Sequence, residues 1–301
     1  MKATVVESAD RSLLHSLALR VCDSFLLSPV RSIWDKNQLD ATLPLSKTQK
    51  VAVGLYLVAR DWALGNFPPR FERESAWENE RTVQARVAGI SAEQWYKDAS
   101  QSPFGYHETI EHYLHDTVRI WKVLGQCKIA PPARILEIGC SHGWLSEILA
   151  SMKFDVTGTT ISPGDVAVAA RRVAALRAKD PSSQLTFDVC PMELVHTRHR
   201  GFDCVLVYEA LHHAFDWRET ISSVARTLNP GGWFLICNEP NLVHTLIAYR
   251  ISKLTTTHEV GISRRKLIRE LHDNGFGRIV RFCPRLHFGV GWHWLAAQKS
   301  E

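Results

Sequence analysis

After Pro131 and Pro132, short runs rich in β-branched and aromatic residues alternate with amphipathic stretches long enough to form helices. Parallel strands can be joined only by such crossover segments, so the alternation predicts βαβ units with helices on both faces of a sheet. The runs with strand character are Arg134–Ile138, Asp155–Thr159, Leu185–Val189, Asp203–Tyr208, Trp233–Asn238, Arg278–Cys283 and Trp292–Gln298. We therefore predict an α/β fold with a doubly wound, mostly parallel, seven-stranded sheet.

The residues before Ala130 have a different sequence pattern, because their apolar side chains recur at helical spacing, as in Leu13, Leu17 and Val21. We predict a mainly helical region over residues 1–105, which covers the substrate or serves an accessory role. An α/β domain over residues 106–301 follows it. Residues 239–262, between the fifth strand and the last helix, are predicted to form a lid-like insertion that helps to select the substrate.

The composition is that of a compact globular chain, with 45% hydrophobic and 22% charged residues among 301. Its longest uncharged apolar stretch, Val51–Ala59, is much shorter than the roughly 18 residues of a membrane span, so we expect no span. The N-terminal residues lack the pattern of a leader, and the seven scattered cysteines form no CxxC pair. We therefore expect reduced thiols in a cytoplasmic protein and no metal site.

The net charge of +5 is concentrated at the end of the chain, where residues 241–301 carry 10 basic and 4 acidic side chains. Such a segment could attract an anion, but it is much weaker than the basic stripe of a dedicated nucleic-acid binder. We interpret it as a solvated basic helix and do not expect a nucleic-acid partner. The sequence leaves the oligomeric state open.

A glycine-containing turn, Gly139–Gly143, joins the first predicted strand directly to an amphipathic helix. Glycine lets a ligand approach the backbone closely, and a helix start offers unpaired N–H groups, so this arrangement predicts a nucleotide site. Ser141 stands where the second glycine of a GxGxxG loop would be. A dinucleotide-binding oxidoreductase therefore fits less well, although it remains an alternative.

The acid and small residues Glu137, Gly139, Ser141 and Gly143 recur at alternating positions, and in this the chain resembles the class I S-adenosylmethionine-dependent methyltransferases. The resemblance extends over about Ile110 to Lys299 and includes the fourth strand, the turn after it and the closing segments, in Phe202–His213, Leu228–Ile236, Ser263–Phe276 and Trp292–Lys299. It implies a Rossmann-like domain whose last strand is antiparallel. It also implies S-adenosyl-L-methionine as the cofactor.

On this resemblance, the residues expected to bind the cofactor are Glu137, Gly139, Cys140, Ser141, His142, Gly143, Thr160, Ile161, Met192, Glu193 and Glu209. His142 is expected to shape the loop, and Glu209 to position the cofactor. Core packing for Met192 and an exposed charge for Glu193 are the alternatives to contact with adenine.

Thr160 marks a departure from the family, which usually has an acid here for the ribose hydroxyls. A threonine hydroxyl can still hydrogen-bond a diol, and members similar to cyclopropane fatty acid synthases also have Thr and Ser here. An aspartate at this position would restore a charge-assisted contact, so we expect Thr160→Asp to be tolerated.

Two histidines, His212 and His213, follow the fourth predicted strand, where the transferred methyl group should lie. Histidine has a suitable pKa for removing a proton from a hydroxyl acceptor, so one of the pair is the candidate general base. We favour His212, because its counterpart reaches the active site in the cyclopropane-synthase-like relatives. In the alternative interpretation, one histidine caps the next segment and the other packs under the cofactor.

The class of acceptor is narrowed by motifs that the sequence lacks. The Asp/Asn-Pro-Pro-Tyr/Phe signature of amino-methylating DNA enzymes does not follow Tyr208, and no Pro-Cys pair supplies a nucleophile there. Leu211 stands where cyclopropane synthases have glutamate. We therefore predict O-methylation of a small metabolite, glycan or natural product. The alternatives are an N- or C-methyltransferase, an NAD-type oxidoreductase and a non-catalytic binding module with the same fold.

Overall fold

The structure is a computed structural model that describes residues 3–101, 103, 107–282, 285–287 and 290–301. Its strands are β1 (Arg134–Ile138), β2 (Asp155–Thr160), β3 (Gln184–Val189), β4 (Phe202–Tyr208), β5 (Leu228–Pro240), β6 (Phe276–Arg281), β7 (Arg285–His287) and β8 (Val290–Lys299). Its helices are α1 (Ala3–Cys22), α2 (Ser28–Leu39), α3 (Lys47–Ala63), α4 (Arg73–Glu80), α5 (Val83–Ala88), α6 (Ala92–Ala99), α7 (His107–Gln126), α8 (Trp144–Ser151), α9 (Pro163–Lys179), α10 (Trp217–Thr227), α11 (Thr245–Thr255) and α12 (Arg264–Asp273).

Seven strands form one path in the order β3-β2-β1-β4-β5-β8-β6. The strands from β3 to β5 are parallel, and β8 runs antiparallel to both β5 and β6. This confirms the predicted fold class, including the antiparallel last strand. The short strand β7, which the sequence pattern did not predict, pairs with the start of β8. Cys283, the predicted end of the sixth strand, lies outside the described residues.

The sheet is covered on both faces because alternate residues of each buried strand pack in opposite directions. Ile135 packs with α7, α8 and α9 in one core, whereas its neighbour Leu136 packs with α10 and α12 in the other. The central strands β4 and β5 therefore contain continuous apolar runs, which is why they could be predicted from composition.

The N-terminal helices share a third core with the segment after β5. Tyr249 on α11 packs with Trp34, Val53 and Leu57, and its hydroxyl donates a 2.7 Å hydrogen bond to Asp61 Oδ2. The predicted insertion over 239–262 thus joins α2 and α3 in one packed unit. The predicted domain boundary between residues 105 and 106 lies outside the described residues.

Large apolar side chains at the N-terminus are exposed, among them Phe25, Leu26 and Leu39. Among the described residues, no single helix has the length and apolar character needed to cross a membrane. A bent pair of segments, Leu13–Cys22 and Phe25–Leu39, meets that requirement by length and composition alone.

The packing of α3 against α11 depends on Gly54, because a Cβ atom at this position would overlap the carbonyl oxygen of Leu246. We expect Gly54→Ala to lower the free energy of unfolding by about 1–3 kcal/mol through overpacking. Gly125→Ala is the matched control, because that glycine lies in α7 with no atom within 4 Å of the added Cβ. The control should be neutral or stabilising by up to about 1 kcal/mol. Equal effects of the two substitutions in denaturant titrations would contradict this account.

Candidate active site

A cavity opens at the carboxyl ends of β1, β2 and β4, where a doubly wound sheet usually binds its ligand. It is lined by Trp77, Glu80, Gln84, Gly139, Ser141, Thr160, Ile161, Ser162, Asp165, Cys190, Pro191, Met192, Glu193, Glu209, Ala210, His213, Ala214 and Phe215. The strand ends and turns provide most of these residues. Helices α4 and α5 contribute Trp77, Glu80 and Gln84, so the N-terminal region forms part of the wall.

The turn after β1 needs small residues for two separate reasons. Gly139 has φ +69°, and a Cβ atom there would lie 2.6 Å from the Cβ of Ala210 across the cavity floor. Gly143 has φ +78° at the start of α8, and a Cβ atom there would overlap the ring of Phe187. Gly139 therefore keeps the backbone accessible at the cavity, and Gly143 allows the start of α8 to pack closely against Phe187 on β3.

The predicted site residues fall into two groups. Those that line the cavity are Gly139, Ser141, Thr160, Ile161, Met192, Glu193, Glu209 and His213. Those that do not line it are Glu137, Cys140, His142, Gly143 and His212. The second group is within or next to the same turns, where its members support the lining residues.

Two buried ionisable groups support the turn after β1. The Ser146 hydroxyl donates to Glu137, and burial raises the pKa of that carboxyl to about 7. Burial, together with the nearby Arg172, lowers the pKa of His142 to about 4. The His142 imidazole is therefore neutral at pH 7, and its backbone carbonyl accepts a 2.9 Å hydrogen bond from Arg172 Nε. These contacts agree with a loop-shaping position for His142.

Asp165 lines the cavity but was not among the predicted site residues. The Thr160 hydroxyl donates a 3.4 Å hydrogen bond to its Oδ2, whereas its Oδ1 is buried without a partner among the described residues. Burial raises the pKa of Asp165 to about 6. An acid therefore does lie beside the end of β2, five residues later than the family pattern places it. The signal was the Ser162-Pro163 helix start, which puts Asp165 in the first turn of α9.

A polar network fixes Glu209, which has φ +49° just after β4. Asn238 at the end of β5 donates from Nδ2 to Glu209 Oε1 and, over 3.1 Å, to Asp116 Oδ2 on α7. His112 Nε2 lies 3.4 Å from Glu209 Oε1, and this hydrogen bond raises the pKa of His112. The carboxylate that faces the cavity is therefore held by side chains from two other elements, β5 and α7.

The adjacent histidines occupy different environments. His212 Nδ1 donates a 2.8 Å hydrogen bond to Glu239 Oε2, and Glu239 also accepts the backbone N–H groups of Ala210 and Leu211. Burial would raise the pKa of Glu239, but His212 and these backbone donors lower it. The favoured residue His212 is thus held behind the cavity, and its neighbour His213 is the one in the wall.

His213 lies between two carboxylates. Its Nδ1 is 2.9 Å from Glu259 Oε2 and 3.1 Å from Glu80 Oε1. Burial alone would lower the pKa of His213, but Glu259 and Glu80 raise it well above its ordinary value. His244 Nε2 lies 3.1 Å from Glu259 Oε1. Sequence reasoning did not find Glu80 or Glu259, because they lie in segments far from the histidine pair.

Comparison with known proteins identifies the domain. Residues 136–236 match the family described as "Methyltransferase domain". The chain is 32% identical over 148 residues to the ubiquinone biosynthesis O-methyltransferase of Xanthomonas oryzae pv. oryzae. The aligned region covers 49% of this chain and 56% of that protein. It is 32% identical over 101 residues to the protein of the same name from Bordetella avium, over 33% of this chain and 40% of that protein. The chain thus spans about half the length of the curated relatives it matches.

Solved structures show the same fold. Magnesium protoporphyrin IX methyltransferase from Synechocystis PCC 6803, with bound SAH, superposes with a TM-score of 0.54 at 18% identity, over 73% of this chain and 100% of that chain. Phosphoethanolamine N-methyltransferase 2 from Haemonchus contortus superposes with a TM-score of 0.53 at 17% identity, over 74% and 60%. The match over residues 136–236 and the shared fold confirm the resemblance to the class I S-adenosylmethionine-dependent methyltransferases that the sequence indicated.

Glu137 gives the fold a specific pH dependence. Its folded pKa of about 7 exceeds the ordinary value of 4.5, so between these pH values the unfolded chain releases a proton that the folded chain retains. The contribution of the Glu137 carboxyl to the free energy of unfolding is therefore present at low pH and declines as the pH rises towards 7. We expect the free energy of unfolding of Glu137→Gln, relative to that of the wild type, to rise by about 2 kcal/mol between pH 5 and 7.5.

The measurement is the free energy of unfolding of both chains at the two pH values. Glu93→Gln is the control, because Glu93 is exposed in the first turn of α6. Its pH profile should follow the wild-type profile. If the Glu137→Gln profile also ran parallel to the wild type, the carboxyl would not be buried as described.

Proposed function

We propose that this chain transfers the methyl group of S-adenosyl-L-methionine to an oxygen atom of a small-molecule acceptor. The observation that carries the proposal is the cavity at the carboxyl ends of β1, β2 and β4, which combines the accessible Gly139 backbone with the unpartnered Asp165 carboxylate oxygen. The match of residues 136–236 to methyltransferase domains supports it. When bound, the cofactor supplies an electrophilic methyl group on a sulfonium.

Asp165 and Thr160 would hold the ribose of the cofactor. A buried carboxylate oxygen without a donor is costly, and a ribose diol offers hydroxyl donors that would satisfy it. Thr160 already donates to the other oxygen of Asp165, which orients the carboxylate. This arrangement also changes the expectation for Thr160→Asp, because a second carboxylate beside Asp165 would add repulsion.

The remaining lining residues fit the other parts of the cofactor. Met192 and Glu193 form the wall after β3, where we place the adenine. Glu209, fixed by Asn238 and His112, presents negative charge to a cofactor whose sulfonium and ammonium groups are cationic. Residues Glu137, Cys140, His142 and Gly143 would act on the cofactor by keeping the turn after β1 in shape.

An oxygen acceptor is favoured by the activity named for the relatives at 32% identity, which are O-methyltransferases. The cavity-lining histidine, His213, is the residue we place against the acceptor. Because methyl transfer is an in-line displacement, its main requirement is that the wall residues hold the acceptor oxygen close to the methyl group and aligned with it. We also propose a cytoplasmic location, since the six cysteines in the described part of the chain are unpaired.

Asp165→Asn tests the cofactor assignment. We expect the affinity for S-adenosylhomocysteine to fall at least about tenfold, or 1.4 kcal/mol, because the charge-assisted contact with the ribose is lost. Isothermal titration calorimetry measures it. Asp188→Asn is the control, because Asp188 pairs with Arg198 and His199 outside the cavity. Wild-type affinity in a folded Asp165→Asn variant would remove Asp165 from the site.

His213→Gln tests the acceptor side. With methyl-labelled cofactor and a panel of phenols, catechols, sugars and amines, we expect wild-type product to carry the label on oxygen. We expect His213→Gln to transfer about 10²-fold more slowly with little change in affinity for S-adenosylhomocysteine, because the acceptor loses a positioning contact. His199→Gln should keep the wild-type rate. Label on nitrogen or carbon would contradict the oxygen assignment, and absence of transfer to any acceptor would favour a binding module.

A further inference from the structure

Five ionisable side chains meet at one wall of the cavity, and we call them the imidazole–carboxylate cluster. They come from the turn after β4, the end of α4, the 3₁₀ turn after β5 and the segment after α11, and they are His212, His213, Glu80, His244 and Glu259. His213 and Glu80 also line the cavity. The cluster therefore borders the space in which we place the acceptor.

The spacing of the cluster matches that of metal ligands. One side-chain atom each of His212, His213 and Glu259 lies within 4.8 Å of the other two. His213 Nδ1 is 2.9 Å from Glu259 Oε2, and His212 Nε2 is 3.7 Å from Glu259 Oε1. Ligands of a tetrahedral ion at about 2.1 Å are about 3.4 Å apart. Small side-chain movements would therefore place all three around one ion, and His244 and Glu80 are near enough to complete the set.

Glu239 prepares His212 for such a role. Its carboxylate accepts a hydrogen bond from His212 Nδ1, so that Nε2 is the nitrogen on the side of Glu259. Metal-binding histidines usually make this hydrogen bond to a carboxylate through the ring nitrogen that does not bind the ion. The contact is rigid because Glu239 is completely buried and also accepts backbone N–H groups.

The cluster has buried polar atoms without partners, and its carboxylates have no Lys or Arg among their ion-pair partners in the described part of the chain. His213 Nδ1 and Glu80 Oε2 are buried without a hydrogen-bond partner of suitable geometry. Within the described part of the chain, the ion pairs of Glu80, Glu239 and Glu259 are formed with histidines and not with Lys or Arg. A cation at the centre would satisfy both the orphaned atoms and the negative charge.

We propose that the imidazole–carboxylate cluster binds one divalent first-row transition-metal ion through His212, His213 and Glu259, with His244 as a further ligand. Zn²⁺ suits this N/O set best, whereas Mg²⁺ and Ca²⁺ prefer oxygen ligands alone.

The role of the ion rests on the proposed function. An acceptor hydroxyl bound to the ion releases its proton to solvent more readily. Its oxygen then forms a bond to the methyl carbon as the carbon–sulfur bond breaks.

The test titrates the full chain, freed of metal by a chelator, with ZnCl₂ and separately with MgCl₂ by calorimetry. We expect one zinc ion per chain and at least about 10²-fold weaker binding of Mg²⁺. Glu259→Gln and His244→Ala should each weaken zinc binding at least about tenfold. His244 is at the edge of the cluster, so its variant provides the test if Glu259→Gln does not fold.

A matched control locates the ion. His112, Asp116 and Glu209 form a second group with ligand atoms within 4.8 Å of one another, so His112→Gln should leave zinc affinity unchanged. Zinc binding that is lost in His112→Gln but kept in both cluster variants would overturn the proposal, as would a wild-type chain that binds no zinc.

The affinity for S-adenosylhomocysteine, measured on the same samples, separates the two proposals. A chain that binds S-adenosylhomocysteine but no zinc contradicts only the metal site, and one that binds zinc but no S-adenosylhomocysteine contradicts the proposed function.

Discussion

The buried carboxylate of Glu239 is the constraint on which the site depends. It lies at the end of β5 and accepts hydrogen bonds from the backbone N–H groups of Ala210, Leu211 and His212 and from the His212 ring. A buried charge is tolerated only when hydrogen bonds replace its lost hydration, and here four donors do so. The turn after β4 is therefore fixed to β5. That turn carries Ala210 on the cavity floor opposite Gly139, and His213 in the wall.

The fold could be predicted from the sequence because its determinants are local. Strand β1 was predicted with its observed bounds, since its last four residues are buried between two strands, are mostly apolar and are followed by glycine. Strand β7 was missed because three residues that pair only with the start of β8 carry no periodic signal. Strand β5 extends beyond its predicted limits because pairing with β4 and β8, not composition, sets its ends.

The site could be predicted only in part, for a related physical reason. The turn after β1 is contiguous, so Gly139, Ser141 and Gly143 were visible together. Asp165 was close in sequence, but an acid in the first turn of a helix is ordinarily explained by the helix dipole. Its burial and its unpartnered oxygen are the observations that support the different role we propose for it. Which of His212 and His213 lines the cavity depends on their contacts with Glu239 and Glu259. The local sequence does not show these contacts, because both glutamates lie far away along the chain.

The division of the cavity between two parts of the chain explains why the acceptor is harder to infer than the cofactor. The family match covers residues 136–236, which provide the floor and the cofactor side. Arg81 donates to the carbonyl of Ile161, and the hydroxyls of Tyr96 and Ser162 lie 3.0 Å apart, so α6 and the end of α4 hold the turn after β2. On the side where we place the acceptor, Glu80 from α4 lines the cavity and Glu259 after α11 contacts the lining residue His213. Both glutamates lie outside the matched region. The family match therefore supports the cofactor side of our proposal, whereas the residues that we place near the acceptor lie outside the matched range.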